Sequence, residues 1–156
     1  MKQTRRPLWA LIAAMFGTML LLAACGDSGS GGSTSSASGG GGSKVNVELN
    51  EWKIIPNPDS ASAGSVEFTA KNTGSIEHEM VIVKTDLAPD ALPTNDSGTR
   101  VDENSDKFEV IGEISEFEAG KTEDASFDLE PGNYVLFCNI EGHYKAGMTT
   151  GFTVTG

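Results

Sequence analysis

An all-β domain, a Greek-key β-sandwich of about eight short strands behind a flexible tether, is the fold that the 156-residue sequence predicts. Three observations carry it. Short alternating or wholly apolar runs recur along residues 44–156, no long stretch there repeats apolar residues at helical spacing, and turn residues separate the runs. The runs fall at 44–49, 52–55, 65–72, 78–84, 108–114, 122–129, 133–139 and 149–155. Pro56-Asn57-Pro58-Asp59, Asn72-Thr73-Gly74, Ala119-Gly120 and Pro131-Gly132 supply Gly, Pro or Asn where the chain must reverse. Eight strands of this length suit a sandwich of two sheets.

Residues 1–24 precede that domain and have the pattern of an export signal: Lys2, Arg5 and Arg6, then an apolar run over 8–24 broken by Gly17 and Thr18. The run ends in Leu22-Ala23-Ala24-Cys25-Gly26, which resembles the lipobox of bacterial lipoproteins. That resemblance implies lipidation of Cys25 as the mature N-terminus and a lipid-anchored protein on the extracytoplasmic face of a bacterial cell envelope. The competing reading is a transmembrane anchor, for which the run sits at the short end of the ~17–25 residues a span needs. Acyl chains on one N-terminus hold firmly, because each buried CH₂ contributes about 0.8 kcal/mol.

From residue 25 to 43 the chain is almost all Gly, Ser, Thr and Ala, with Asp27 as its one charge. Such a composition buries too little apolar surface to fold and acts as a tether. Its root-mean-square span is about 23 Å and its taut limit about 60 Å.

The remaining segment, 44–156, is long enough for one domain with a single core. The whole chain carries 22 acidic and 11 basic residues. Without the three basic residues of the leader and Asp27, the domain keeps 21 acidic and 8 basic residues, a net charge of −13. This excludes nucleic acid and anionic lipid as natural partners, and it suits solubility or a basic partner. Residues 85–107, with two prolines, the turn-rich Thr94-Asn95-Asp96-Ser97-Gly98 and the acidic Asp102-Glu103-Asn104-Ser105-Asp106, read as an inserted loop with one helical turn near Asp90. It is either a docking or shielding surface or a mobile acidic loop.

The stretch Phe-Cys-Asn-Ile-Glu-Gly-His-Tyr-Lys-Ala-Gly-Met, 137–148, holds the chemistry. Cys138, His143 and Met148 follow one another at intervals of five, offering a thiolate, an imidazole and a thioether. Soft sulfur suits Cu(I) and imidazole suits both copper states, the donor set of a His₂Cys site with a weak Met. The loop lacks one histidine, and the chain has one other, His78, at the head of the apolar run 78–83. Alternation along 133–139 puts Tyr134, Leu136 and Cys138 on one face and Val135 and Phe137 on the other, with Cys138 at the strand's end. With Cys25 lipidated, Cys138 is the one remaining thiol in an oxidising compartment, where metal ligation or burial as an inert core residue would protect it. Gly142 and Gly147, each one residue before a ligand, suit close approach or positive φ. Tyr144 and Ile140 are expected at an apolar rim of the metal, with a packed surface aromatic as the other reading of Tyr144.

These residues resemble the cupredoxins, the type 1 blue copper proteins, in which a first His on one strand joins a C-terminal Cys-His-Met loop. The resemblance covers roughly 44–156, and the wording Gly-His-Tyr-x-x-Gly-Met is similar to sulfocyanin-like bacterial members, within the wider plastocyanin- and azurin-like group. It implies one copper ion cycling between Cu(I) and Cu(II), held by His78, Cys138, His143 and an axial Met148, and a one-electron carrier whose edge is His143. It also implies redox protein partners, a donor and an acceptor, for which a cytochrome or membrane oxidoreductase with a basic docking face is the expected class. Many members carry Asn after the first His, where this chain has Glu79, and here the residue after the cysteine is Asn139. That departure suggests a reversed hydrogen bond, from the Asn139 amide to Glu79.

With two histidines in all, the chain has no ligands for a second copper centre, so the expectation is a non-enzymatic protein, and a tethered monomer is the simplest expectation for its assembly. Three readings compete. A copper-scavenging, storage or delivery lipoprotein would use the same ligands without electron transfer. A red or mononuclear site would recruit Glu79 or Glu141, and an adhesive β-sandwich would leave Cys, His and Met coincidental.

Overall fold

Side-chain alternation along β1 (Ser43–Asn50) turns Val45, Val47 and Leu49 inward and Lys44, Asn46 and Glu48 to solvent, the signature of a strand with one buried face. This computed structural model describes residues 42–156. The leader, Cys25 and nearly all of the tether lie outside the described residues.

Eight further strands follow: β2 (Lys53–Asn57), β3 (Ser60–Ser62), β4 (Gly64–Asn72), β5 (His78–Lys84), β6 (Glu109–Phe117), β7 (Thr122–Leu129), β8 (Gly132–Phe137) and β9 (Thr149–Thr155). They form two sheets, in the orders β2-β1-β4-β7 and β3-β9-β8-β5-β6. The pairs β1/β4 and β3/β9 are parallel and the rest antiparallel. The sandwich expected from the sequence is the fold observed. Its ninth strand, β3, is three residues of Ser-Ala-Ser, too short to show a period. Among the described residues no helix is long and apolar enough to cross a membrane. A single 3-10 turn, Pro89–Ala91, stands where the sequence suggests one near Asp90.

The inner faces of the two sheets meet in one apolar cluster that includes Val47, Val66, Phe68, Met80, Ile82, Leu136 and Phe152. Burying such side chains contributes about 1.5–3 kcal/mol each. Cys138 and Met148 belong to the same cluster, so the candidate ligands are set into the end of the core.

Residues 85–107 are not a free acidic loop. Leu92 and Val101 are buried with Val81, Val83, Val135, Phe137 and Tyr144 in a second cluster on the outer face of the β8/β5 region. That explains the sequence of β5, whose residues from His78 to Val83 are all buried. An apolar run without alternation is what a strand covered on both faces requires. The charges of the segment lie outside: Asp96, Glu103 and Asp106 are exposed.

Candidate metal centre

Three strand ends and one loop build the site. His78 opens β5, Cys138 follows the last residue of β8, and the loop 138–148 returns the chain into β9. The pairings Val81↔Phe137 and Phe137↔Thr149 fix the ends of these strands against one another. On the other side His78 pairs with Phe117, and β6 fits one extra residue between the partners of His78 and Met80. Such a bulge re-aims the strand beside it.

The loop is wound tightly by its own peptide groups. His143 N–H donates to Ile140 O, Gly147 N–H to Tyr144 O, and Ala146 N–H to Gly142 O, all at 2.9–3.0 Å. Gly142 and Gly147 hold φ of 85° and 103°, so the positive φ expected of both glycines is observed. Met148 is tied twice through its backbone: its N–H donates to His143 O and its carbonyl accepts from Cys138 N–H, both at 3.1 Å.

In this frame the ligand atoms of His78, Cys138 and His143 all lie within 4.8 Å of one another. His143 Nδ1 is 3.3 Å from Cys138 Sγ and 3.4 Å from His78 Nδ1. His78, Cys138 and Met148 are fully buried, and His143 is 7 % exposed. Two imidazole nitrogens and one thiol sulfur thus face each other without a carboxylate among them. A buried group of lone pairs of this kind is favourable only when a proton or a cation sits among them. Two nitrogens with a soft sulfur, and a buried thioether two peptide hydrogen bonds away, fit copper.

The surroundings act on the donors in opposite senses, freeing the imidazoles and holding the proton on the thiol. Burial lowers the pKa of His78, with His143 adding to the effect, and burial likewise lowers that of His143, so both rings are neutral near pH 7. Burial pushes the Cys138 thiol up to about 11, while peptide N–H groups of Glu79 and Ile140 act in the opposite sense. The Glu79 N–H reaches Sγ at 3.5 Å. A metal ion replaces the thiol proton outright, and these donors then stabilise the thiolate.

The hydrogen bond expected between the Asn139 amide and Glu79 is not formed. Asn139 Nδ2 donates instead to Val101 O at 3.1 Å and to Glu103 Oε1 at 2.6 Å, and its Oδ1 accepts from Val101 N–H at 2.7 Å. The physical reason is direction: Asn139 turns toward 85–107, whose buried peptide at Val101 needs both a donor and an acceptor. Glu79 stays beside the site with its carboxyl facing the Asn139 peptide N–H, and burial pushes that carboxyl up to about 7. Tyr144 follows its other reading, a packed aromatic. Its hydroxyl accepts from Leu92 N–H and donates to Pro89 O, both at 2.9 Å, pinning 85–107 onto the ligand loop. Ile140 packs against the main cluster.

One neighbour has no counterpart in the sequence reading. Trp52, expected in a strand, occupies the β1–β2 turn at φ 103°, the one non-glycine with positive φ among the described residues. Its ring stands edge-on to His143 with centroids 5.2 Å apart. Glu51 fixes the turn by accepting the N–H groups of Ser75 and Ile76. The one Trp of segment 44–156 was the available signal, though one sequence does not show which loop it meets.

The sulfocyanin (SoxE) domain family matches residues 58–156. Among solved structures, an auracyanin from Roseiflexus castenholzii superposes with a TM-score of 0.51 at 23 % identity, over 74 % of this chain and all of that one. Auracyanin B gives 0.52 at 22 % identity, over 73 % and 89 %. A rusticyanin variant gives 0.51 at 18 % identity, over 74 % and 79 %. These three likenesses are of fold. No curated protein sequence matches the chain.

Proposed function

The chain belongs to the sulfocyanin (SoxE) domain family of cupredoxins, with copper as its cofactor, and from that premise we propose a membrane-tethered carrier of single electrons between extracytoplasmic redox partners. The observation that supports it most is the convergence of His78 Nδ1, His143 Nδ1 and Cys138 Sγ at the end of a packed core. In this reading His78, Cys138, His143 and Met148 hold one copper ion, which supplies a reversible one-electron couple when bound.

The residues of the chain do the rest. Cys138 and the two imidazoles offer donors acceptable to both oxidation states. Burial of His78, Cys138 and Met148 keeps water out of the site. Anchoring at the ends of β5, β8 and β9 keeps the donors where they are when the charge of the site changes. Both histidines of the sequence are consumed in this one site, which supports a carrier rather than an enzyme with a further copper centre.

The lipobox-like sequence ending in Cys25, the Gly/Ser tether and the net charge of −13 support a lipid-anchored monomer on the outer face of a bacterial envelope, meeting basic partners. The test is a redox titration of the copper-loaded chain in detergent with a Cu(I)-specific chelator present. A reversible one-electron wave with the metal retained is expected. Loss of copper to the chelator on the first reduction would favour the delivery reading instead.

A further inference from the structure

Of the candidate ligands described above, His143 comes nearest to solvent, yet it is 7 % exposed. What stands over its ring is Trp52, 43 % exposed. Large aromatic side chains left in water, on backbone that non-glycine residues adopt at a cost of about 1–3 kcal/mol, point to use at a surface. The turn is also held in place: Glu51 accepts the N–H groups of Ser75 and Ile76, which sets Ile76, 40 % exposed, beside the same turn. Among the described residues, two of the four large exposed apolar side chains thus belong to the loops at the metal end of the sandwich.

Carboxylates border this pair. Glu116 is near enough to act on both Cys138 and His143. Glu77 precedes His78, Glu118 follows its cross-strand partner Phe117, and all three are exposed. The basic groups near the site, Arg100 and Lys145, sit where 85–107 meets the ligand loop, and Arg100 is engaged by Asn139 O at 2.9 Å.

We propose that Trp52, rather than the edge of His143, is the surface on which the redox partner docks and across which the electron reaches the site, and that the partner is a one-electron protein presenting an apolar cofactor edge ringed by Lys and Arg. This rests on the electron-carrier reading. One electron leaves the reduced partner and enters the oxidised site; no bond forms or breaks, no proton moves, and the indole stays closed-shell. Tryptophan suits this role, because the few residues that carry most of an interface's binding energy are enriched in Trp. The surrounding carboxylates steer a basic partner and make association fall with salt.

The experiment uses the copper-loaded full chain in detergent, with a strongly basic c-type cytochrome as the protein probe and hexaammineruthenium as a small one. Stopped-flow rates and midpoint potentials are measured for wild type, Trp52→Ala, Trp52→Phe and Glu116→Gln, and binding to the cytochrome is read separately by NMR line broadening of the metal-free chain. Expected for Trp52→Ala is a fall of about tenfold or more in the cytochrome rate, with loss of the broadening and an unchanged potential and visible spectrum. Trp52→Phe should recover most of the rate, and Glu116→Gln should lower its salt dependence. A Trp52→Ala rate at or above wild type overturns the proposal, because the partner then reaches His143 directly. A changed spectrum in both Trp52 variants overturns it too, by making the indole a support of the metal site. Failure of wild type to exchange electrons even with hexaammineruthenium would instead sink the carrier reading itself.

Discussion

Asn139 follows the thiol residue Cys138 and spends its whole side chain on the neighbouring segment 85–107. Replacing it by Ala leaves the buried Val101 peptide with an N–H and a carbonyl unpartnered, a loss of about 1–3 kcal/mol per orphaned group. Asn139→Ala is therefore expected to lower the urea midpoint clearly, whereas Glu79→Ala leaves those three bonds in place. Equilibrium unfolding of both variants checks this. Glu51 gives a pH prediction. Its peptide and hydroxyl donors from Ser75 and Ile76 lower its carboxyl from 4.5 to about 2 in the folded state. A depressed folded pKa contributes stability above the unfolded value, and that contribution is lost as pH falls from about 4.5 toward 2. Glu51→Gln should remove this part of the acid limb while leaving stability at pH 7 to 8 without pH dependence from this position. Acid titration of unfolding, followed by circular dichroism, measures it. At this scale the sequence shows the donor types clearly: Cys138, His143 and Met148 lie within eleven residues, and His78 is the one histidine left. It does not show the partners of Asn139, because a side-chain amide bonds whichever peptide the fold brings near.

The segment 85–107 behaves as an element without being a helix or a strand. Leu92 and Val101 bury themselves on the outer face of β5 and β8, Tyr144 bonds Leu92 N–H and Pro89 O, and Thr99 O accepts Gly142 N–H at 2.8 Å. It clamps the ligand loop from outside, as the core does from within. Leu92→Ala is expected to cost about 2–5 kcal/mol, the range for a buried leucine. A loss near zero in chemical denaturation would mean that the segment does not cover the sheet. The strands were legible because alternation and turn residues coincide at 65–72, 122–129 and 149–155. The cover was not, since two buried apolar residues among so many polar ones make no period. The wholly buried β5 carried the hint: a run such as Met80-Val81-Ile82-Val83 needs something on both faces.

For the molecule as a whole, the domain's net charge of −13 and its metal pole fit an acidic blue copper electron carrier. If Cys25 bears the anchor, Cys25→Ser moves the protein from the membrane to the soluble fraction when cells are fractionated, and retention in the membrane would favour the transmembrane reading. Copper binds the folded chain through atoms that only the fold assembles, so it also stabilises the fold by mass action. The most direct test is the visible absorption spectrum of the full chain in detergent after addition of Cu(II), beside Cys138→Ser. An intense thiolate-to-copper band that bleaches on reduction, returns on oxidation and is absent from the variant is the predicted result. Tight copper binding without that band, or a band that survives in Cys138→Ser, would contradict a site built on His78, Cys138, His143 and Met148.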